Sequence, residues 1–372
     1  TLYGIEGNGA LTNPIALITA DEVAYAGGAW STNNSKYYLY TKYYFWTMSP
    51  FYFDASFAYG LSVSSTSRLD YPRVNTTEVG VRPVISISGT ALNAGTGTKN
   101  DPFKIDAAKN TLTQLELTES VGTPDFSKTS CSSGCEEATV GLYKTEDDFG
   151  DAYYFRGDVE NNYVYFANKY WRIIRINGDG SIRMIYAGTS AHDNGYNDSS
   201  TTDMRIGTSA FNSSHNDNAY VGYMYGTTGS STYSLTHSNT NNSTIKATID
   251  NWYNTNIKNT NYEQYVVDTI YCNDRELDSG TGIGTTSSNY KAYNRNVTNK
   301  TPSLKCNQVN NRFTVSLAVD GVQGNGALTN PIGLITADEI AYAGGKFSTG
   351  NSKYYLYTGY FYWSMSPDFF GG

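Results

Sequence analysis

The sequence predicts an α+β protein of short antiparallel strands, a few helices and long ordered loops. Three observations lead there. Charged residues make up only 16% of the 372 positions while aromatic residues reach 15%, with 34 tyrosines, so the chain has rings to bury and is not a disordered acidic polymer. Apolar and aromatic residues come in short runs broken by Gly, Asn and Ser, which is the grammar of strands and turns. Only a handful of stretches carry the helical period.

Taken in order, Ala20–Ala26 reads as a short helix. Thr19 is its cap, Asp21 and Glu22 favour the positive end of the dipole, and Gly27-Gly28 stop it. The runs Tyr37-Tyr38-Leu39-Tyr40 and Tyr43-Tyr44-Phe45-Trp46 read as strands with large rings on both faces. Val81–Ser88 reads as a closing strand, followed by a turn at Gly95–Thr98 and a last strand at Pro102–Ile105. Residues 107–140 show little core periodicity beyond Leu112, Leu115 and Leu117, and read as a connector with some extended structure. The strand pattern resumes at Tyr153–Phe155 and Tyr163–Phe166. The clearest hairpin runs from Tyr170–Ile176 through Asn177-Gly178-Asp179-Gly180 into Ser181–Tyr186, with Asn-Gly expected to supply the positive φ of a tight turn. Ser243 caps a helix whose apolar positions Ile245, Ile249, Trp252, Tyr253 and Ile257 share one face. A further short helix is expected over Tyr262–Thr269.

The chain repeats itself. Gly7–Pro50 and Gly324–Pro367 are identical at 35 of 44 positions, a period of 317 residues. The substitutions are mild: Val23 against Ile340, Trp30 against Phe347, Phe45 against Tyr362, Thr47 against Ser364. Two copies of one packed element behave this way, because cores tolerate volume-like swaps better than changes of shape. Residues 1–55 match 318–372, so the expected organisation is a window on a tandem array. In it, residues 1–107 form the C-terminal part of one module, 108–140 a connector, and 141–372 the N-terminal and middle part of the next.

Net charge is −8, from 26 basic and 34 acidic residues, with the basic ones scattered; this argues against a nucleic-acid partner. No apolar run reaches the roughly 20 residues that span a bilayer. The four cysteines, Cys131, Cys135, Cys272 and Cys306, lack zinc-site spacing, and the three histidines lie far from them. Of the three possible pairings the sequence favours Cys131 with Cys135 and Cys272 with Cys306, which places the chain in an oxidising compartment; four free thiols are the alternative.

The order Tyr170-Trp171-Arg172-Ile173-Ile174, the Trp252 helix, Leu334–Glu339, Trp363-Ser364-Met365-Ser366-Pro367 and, from the first copy, Val81-Arg82-Pro83-Val84-Ile85 resembles the repeat modules of large uncharacterised Firmicutes surface proteins. The same order is distantly similar to C-type-lectin-like domains of the formylglycine-generating-enzyme type. The resemblance implies a C-type-lectin-like fold and an extracellular, cell-wall-associated or shed protein, with no established activity.

No residue set carries catalysis. The paired reactive cysteines of the formylglycine chemistry are not recognisable, His192, His215 and His237 sit in polar loops and read as solvated, and Gly280–Gly284 lacks the lysine of a phosphate loop. Glu146, Asp147, Asp148 and Asp151 read as a solvated turn, with a structural calcium ion as the alternative. The candidate contact residues are Tyr43, Tyr44 and Trp46 with Tyr360, Phe361 and Trp363, able to pack on the core, on a neighbouring module or on a sugar. The expected function is a non-catalytic structural repeat of an extracellular or cell-surface fibre, stalk- or adhesin-like, whose partners are neighbouring copies. The alternative is a lectin-like module binding glycans or proteins through loops such as Asp193–Tyr196 and Asn216–Tyr220.

Overall fold

The computed structural model describes residues 8–371 except 14, 31, 67, 86–95, 97, 100–106 and 199–202. The chain divides into two compact units, residues 1–91 and 92–372.

In the first unit, strand β1 (Ile15–Leu17) leads into helix α1 (Ala20–Tyr25), and β2 (Phe45–Phe53), β3 (Ala58–Val63), β4 (Leu69–Asp70) and β5 (Pro83–Ile85) follow. β2, β3 and β4 form an antiparallel sheet in that order, and β5 returns to pair with β1. Helix α1 starts with the expected capping box: the Glu22 amide donates to Thr19 Oγ1 at 3.2 Å while the Glu22 carboxylate accepts the Thr19 amide at 2.8 Å. Val23 on its buried face packs with Phe45 and Val63 of the sheet and with Tyr37 of the intervening turn. The Arg82 guanidinium closes this core, lying 4.5 Å from the centre of the Phe45 ring and donating to the Leu39 carbonyl.

The second unit begins with helix α2 (Ala107–Gln114), then β6 (Gly141–Asp147), β7 (Gly150–Arg156), β8 (Tyr163–Phe166), β9 (Lys169–Ile176) and β10 (Ile182–Gly188). These strands form one antiparallel sheet in the order β10-β9-β7-β6, with β8 also on β9. Beyond it come short elements tied by long loops: β11 (Met224–Tyr225), α3 (Tyr233–Thr236), β12 (Asn241–Asn242), α4 (Thr244–Asn256), β13 (Tyr271–Cys272), β14 (Leu277–Ser279), β15 (Ser288–Tyr290), α5 (Lys291–Tyr293), β16 (Arg312–Phe313), β17 (Ala318–Val319), β18 (Val322–Gln323), α6 (Ala337–Ala343) and β19 (Phe369–Phe370). The α+β prediction therefore holds as mixed helices and short, mostly antiparallel sheets.

Several local expectations hold for the reasons given. The Lys246 amide donates to Ser243 Oγ, and Ile245, Ile249, Tyr253 and Ile257 are all buried. Helix α6 carries the same capping box as α1. Both disulfides, Cys131–Cys135 and Cys272–Cys306, are formed.

Others are corrected. Tyr37–Tyr40 and its counterpart Tyr354–Tyr357 are turns, not strands, and residues 360–363 are irregular; an aromatic run becomes a strand only where a neighbour accepts its backbone, as β3 does for β2. The expected connector contains α2, whose Ala108 and Leu112 are buried against Tyr153, Phe155 and Ile173 in the core of the large sheet. Tyr262–Thr269 forms only a 3-10 turn, Glu263–Tyr265, because Val266 is already extended on the way to β13. In the β9–β10 hairpin the positive φ falls on Gly180, not on Asn177-Gly178. Gly178 is needed for space, since a Cβ there would meet the Gly150 amide nitrogen at 2.6 Å and the Phe149 carbonyl carbon at 2.7 Å. The strand read over Val81–Ser88 is present as β5, with 86–88 outside the described residues, as are residues 102–105 and residues 95 and 97 of the turn at 95–98.

Candidate interface of the repeated element

The second copy of the repeat is not an appendage of its unit; it supplies part of three cores. Ile335, Ala343 and Tyr354–Leu356 pack under the large sheet beside Phe155 and Ile174. Leu328 and Met365 pack with Tyr223, Ile249 and Phe313. Tyr342 packs with Tyr143, Tyr154 and Leu304, edge-on to the Tyr154 ring, and its hydroxyl donates to the Pro302 carbonyl.

Charge locks the helix in place. Glu339 is 2% exposed and accepts from Arg175 Nε at 3.0 Å and Arg183 Nε at 2.6 Å. Arg175 also donates to Asp147 at 2.8 Å. Burial pushes the Glu339 carboxyl up, but the two guanidiniums and the Thr336 amide outweigh it and hold it below the usual carboxylate range. The neighbouring Asp338 takes both Arg295 Nε and Nη2, at 2.9 and 2.8 Å, while Arg295 Nη1 donates to Asp274 at 2.7 Å. Burial lowers the Arg295 guanidinium, yet its two carboxylate partners bring it above its ordinary value. At the other end of α6, fully buried Arg156 donates to the Ala341 and Tyr342 carbonyls at the helix C-terminus, where the Ala341 carbonyl also accepts the Gly344 amide. Asn351 Nδ2 then ties Gly344 O to Ser130 O.

These arginines were not singled out from the sequence. The available signal was an apolar strand interrupted twice, Tyr170-Trp171-Arg172-Ile173-Ile174-Arg175-Ile176, with Arg183 opposite Arg175 in the β9–β10 register; charges inside such a strand need buried partners. Arg172 finds its partners nearby, on Asn162, Val159 and Asn194, but Glu339, which Arg175 and Arg183 share, lies more than 150 residues away in the repeat, where no local pattern reveals it.

The cavity enclosed by Arg175, Arg183, Asp274, Arg295, Asp338 and Glu339 has room for about 20 Å³, one water's worth. Ion pairs fill the space that a ligand would need. The acidic cluster is likewise paired: Glu146 with Lys305, Asp147 with Arg175, Asp148 with Arg312 and Asp151 with Lys144. Among the described residues no group of three His, Cys, Asp or Glu side chains is arranged to hold a metal ion. Nor are all the histidines solvated. His237 is buried, its Nε2 on the Gly282 carbonyl, and burial with the Arg275 charge lowers it to about 3; His192 is paired with Asp203. The Gly280–Gly284 loop is pinned, since Asn218 Nδ2 donates to the Gly284 carbonyl and the Gly282 amide to Ser288.

The six aromatic candidates fall in different settings. Tyr43, Tyr44, Phe361 and Trp363 are exposed, and Trp46 and Tyr360 are half-buried. Trp363 Nε1 donates to the Ser209 carbonyl, and the Arg205 guanidinium lies 4.3 Å from the Tyr360 ring centre. A ring cluster that was not anticipated forms in the first unit instead. Trp30 stacks on Phe51 and on Tyr71 at 5.4 and 5.5 Å, and Tyr52 stacks on Tyr59 at 4.8 Å; Trp30, Phe51, Tyr52 and Tyr71 are all exposed. Trp30 was visible only as one changed position of the repeat.

Comparison with protein-family models, with curated proteins and with solved structures finds no match to this chain. Among the described residues no helix is long and apolar enough to cross a membrane.

Proposed function

We propose that this chain is a non-catalytic structural repeat unit of an extracellular or cell-surface fibre, stalk- or adhesin-like, whose partners are neighbouring modules of the same kind. One observation carries the reading: a 44-residue element occurs twice, 35 positions unchanged, and keeps the same internal bonds in both copies. The Met48 amide donates to Ile18 O at 2.8 Å and the Met365 amide to Ile335 O at 2.7 Å. The Ala20 and Ala337 amides donate to Ser49 and Ser366, each at 2.9 Å. Near-identical elements with near-identical faces let one contact recur along an array, and a contact that does not close on itself propagates. Two disulfides fit an oxidising, extracellular setting. The test is electrophoresis of boiled native material, reduced and non-reduced, with peptide mass spectrometry across residues 49–139. One very large chain with peptides running through successive modules is the expected result; a discrete band near 41 kDa, the mass of this sequence, would overturn the single-chain fibre.

A second reading, a lectin-like module that binds glycans, is favoured by the exposed Trp30, Phe51, Tyr52 and Tyr71 rings, since flat apolar faces rimmed by polar groups suit sugar rings. A glycan array should then show binding that Trp30→Ala abolishes; no binding to any glycan removes this reading.

A further inference from the structure

The two copies of the repeat share a local fold but not an environment. Tyr342 is 6% exposed and Tyr25 94%; Tyr355 5% and Tyr38 80%; Met365 0% and Met48 58%; Leu328 5% and Leu11 63%. Asp338 and Glu339 are buried in ion pairs, while Asp21 and Glu22 are exposed. Six identical residues are thus core in one unit and surface in the other. An exposed set of this size with a tyrosine, methionine and leucine pattern is otherwise a feature of binding faces.

We propose that the face of the first unit bearing Leu11, Asp21, Glu22, Tyr25, Tyr38 and Met48 docks on a second copy of this chain, taking the place that residues 324–371 hold in that copy's second unit. The proposal rests on the repeat-fibre reading and names its contact. Charge complementarity is given by the internal precedent: Glu22 would meet Arg175 and Arg183, and Asp21 would meet Arg295, as Glu339 and Asp338 do. The exchange also gains cover. Phe45 is 1% exposed beneath β3 whereas its counterpart Tyr362 is 39% exposed, and the incoming unit carries β3 and β4 with it.

Two of the nine differences clash with the exchange, and a third, Ala29 in place of Lys346, gives up the ion pair to Glu136. Gly333 lies against the Tyr271 ring, where a Cβ would stand 2.5 Å from Cδ1, and Ala16 brings that Cβ. Gly359 lies against the Asn197 backbone, where a Cβ would meet the carbonyl oxygen at 2.9 Å, and Lys42 replaces it.

The test uses the full 372-residue chain in ¹⁴N and ¹⁵N forms, mixed, carried briefly through partial denaturant so that residues 324–371 can leave, then cross-linked and sized by light scattering. The expected result is concentration-dependent association with mixed-isotope links joining residues 20–48 to residues 125–183. Ala16→Gly with Lys42→Gly should tighten association. Adding Asp21→Asn and Glu22→Gln, at positions exposed in the first unit, should weaken it about tenfold or more, because three arginines then lose buried partners. The side-chain amide oxygen of the E22Q variant can still accept from the Thr19 amide, so the fold is kept. A chain that stays monomeric even with glycine at 16 and 42, or links that map to other faces, would overturn this contact. Neither result touches the fibre reading, which stands or falls on whether native peptides run through successive modules.

Discussion

Tyr25 and Tyr342 occupy equivalent positions on equivalent helices, so replacing each with alanine isolates environment from sequence. Tyr342 lies between Tyr154 and Phe126, with ring centres at 4.5 and 4.9 Å, and donates to Pro302 O at 3.0 Å. Burying a tyrosine removes on the order of 200 Å² from water, worth roughly 4 to 5 kcal/mol at about 25 cal/mol per Å² as an upper bound. Removing the ring also leaves a cavity and an unpaired carbonyl, so Tyr342→Ala should destabilise the second unit by about 4 kcal/mol. Tyr25 is 94% exposed and has almost no area to lose; Tyr25→Ala should change the first unit by less than about 0.5 kcal/mol. Hydrogen exchange read by mass spectrometry, peptide by peptide in dilute protein with rising urea, reports each unit separately. Equal losses at the two sites, or a silent Tyr342→Ala, would refute the claim that the copies differ in their surroundings.

His237 is neutral and buried, with its folded value lowered to about 3. The unfolded chain therefore takes up a proton that the folded chain refuses, so stability is full above about pH 6.5 and falls by up to about 1.4 kcal/mol per pH unit between there and about pH 3; urea midpoints across that range should show the slope and His237→Gln should flatten it. Opening Cys272–Cys306, whose partners are 34 residues apart, should cost about 4 kcal/mol, and opening Cys131–Cys135, only 4 apart, about 2 kcal/mol; equal melting shifts for the two serine double variants would contradict this loop-length account. Gly178→Ala, whose new Cβ faces the Gly150 and Phe149 backbone, should destabilise the β9–β10 hairpin by about 1 to 3 kcal/mol; a neutral result in thermal melts would mean that turn is slack.

Much of the local structure was legible because its causes are local. Thr19 and Thr336 cap their helices through a glutamate three residues on. Ser243 caps α4, whose apolar face follows the helical period. Asn177–Ser181 turns because its flanking strands are apolar and its own residues are not. What failed locally was decided by what arrives from elsewhere in the chain. Tyr37–Tyr40 has the composition of a strand but, among the described residues, pairs with no strand, and His237 sits among Ser, Thr and Asn yet is sealed under the Gly282 loop.

The candidate interface divides along the same line. The repeat itself, its caps and its cysteine pairing follow from the order of residues alone, because spacing and identity are enough to specify a capping box, a turn or a short disulfide loop. The fate of each copy does not. Asp21 and Asp338, Glu22 and Glu339, Tyr25 and Tyr342 are the same residues in the same local conformation, and only the tertiary structure decides that one set is wet and the other is core. The physical reason is that burial and charge pairing depend on what arrives across the chain. Arg175, Arg183 and Arg295 reach the second copy and close over it, whereas the corresponding face of the first copy is exposed in its own unit.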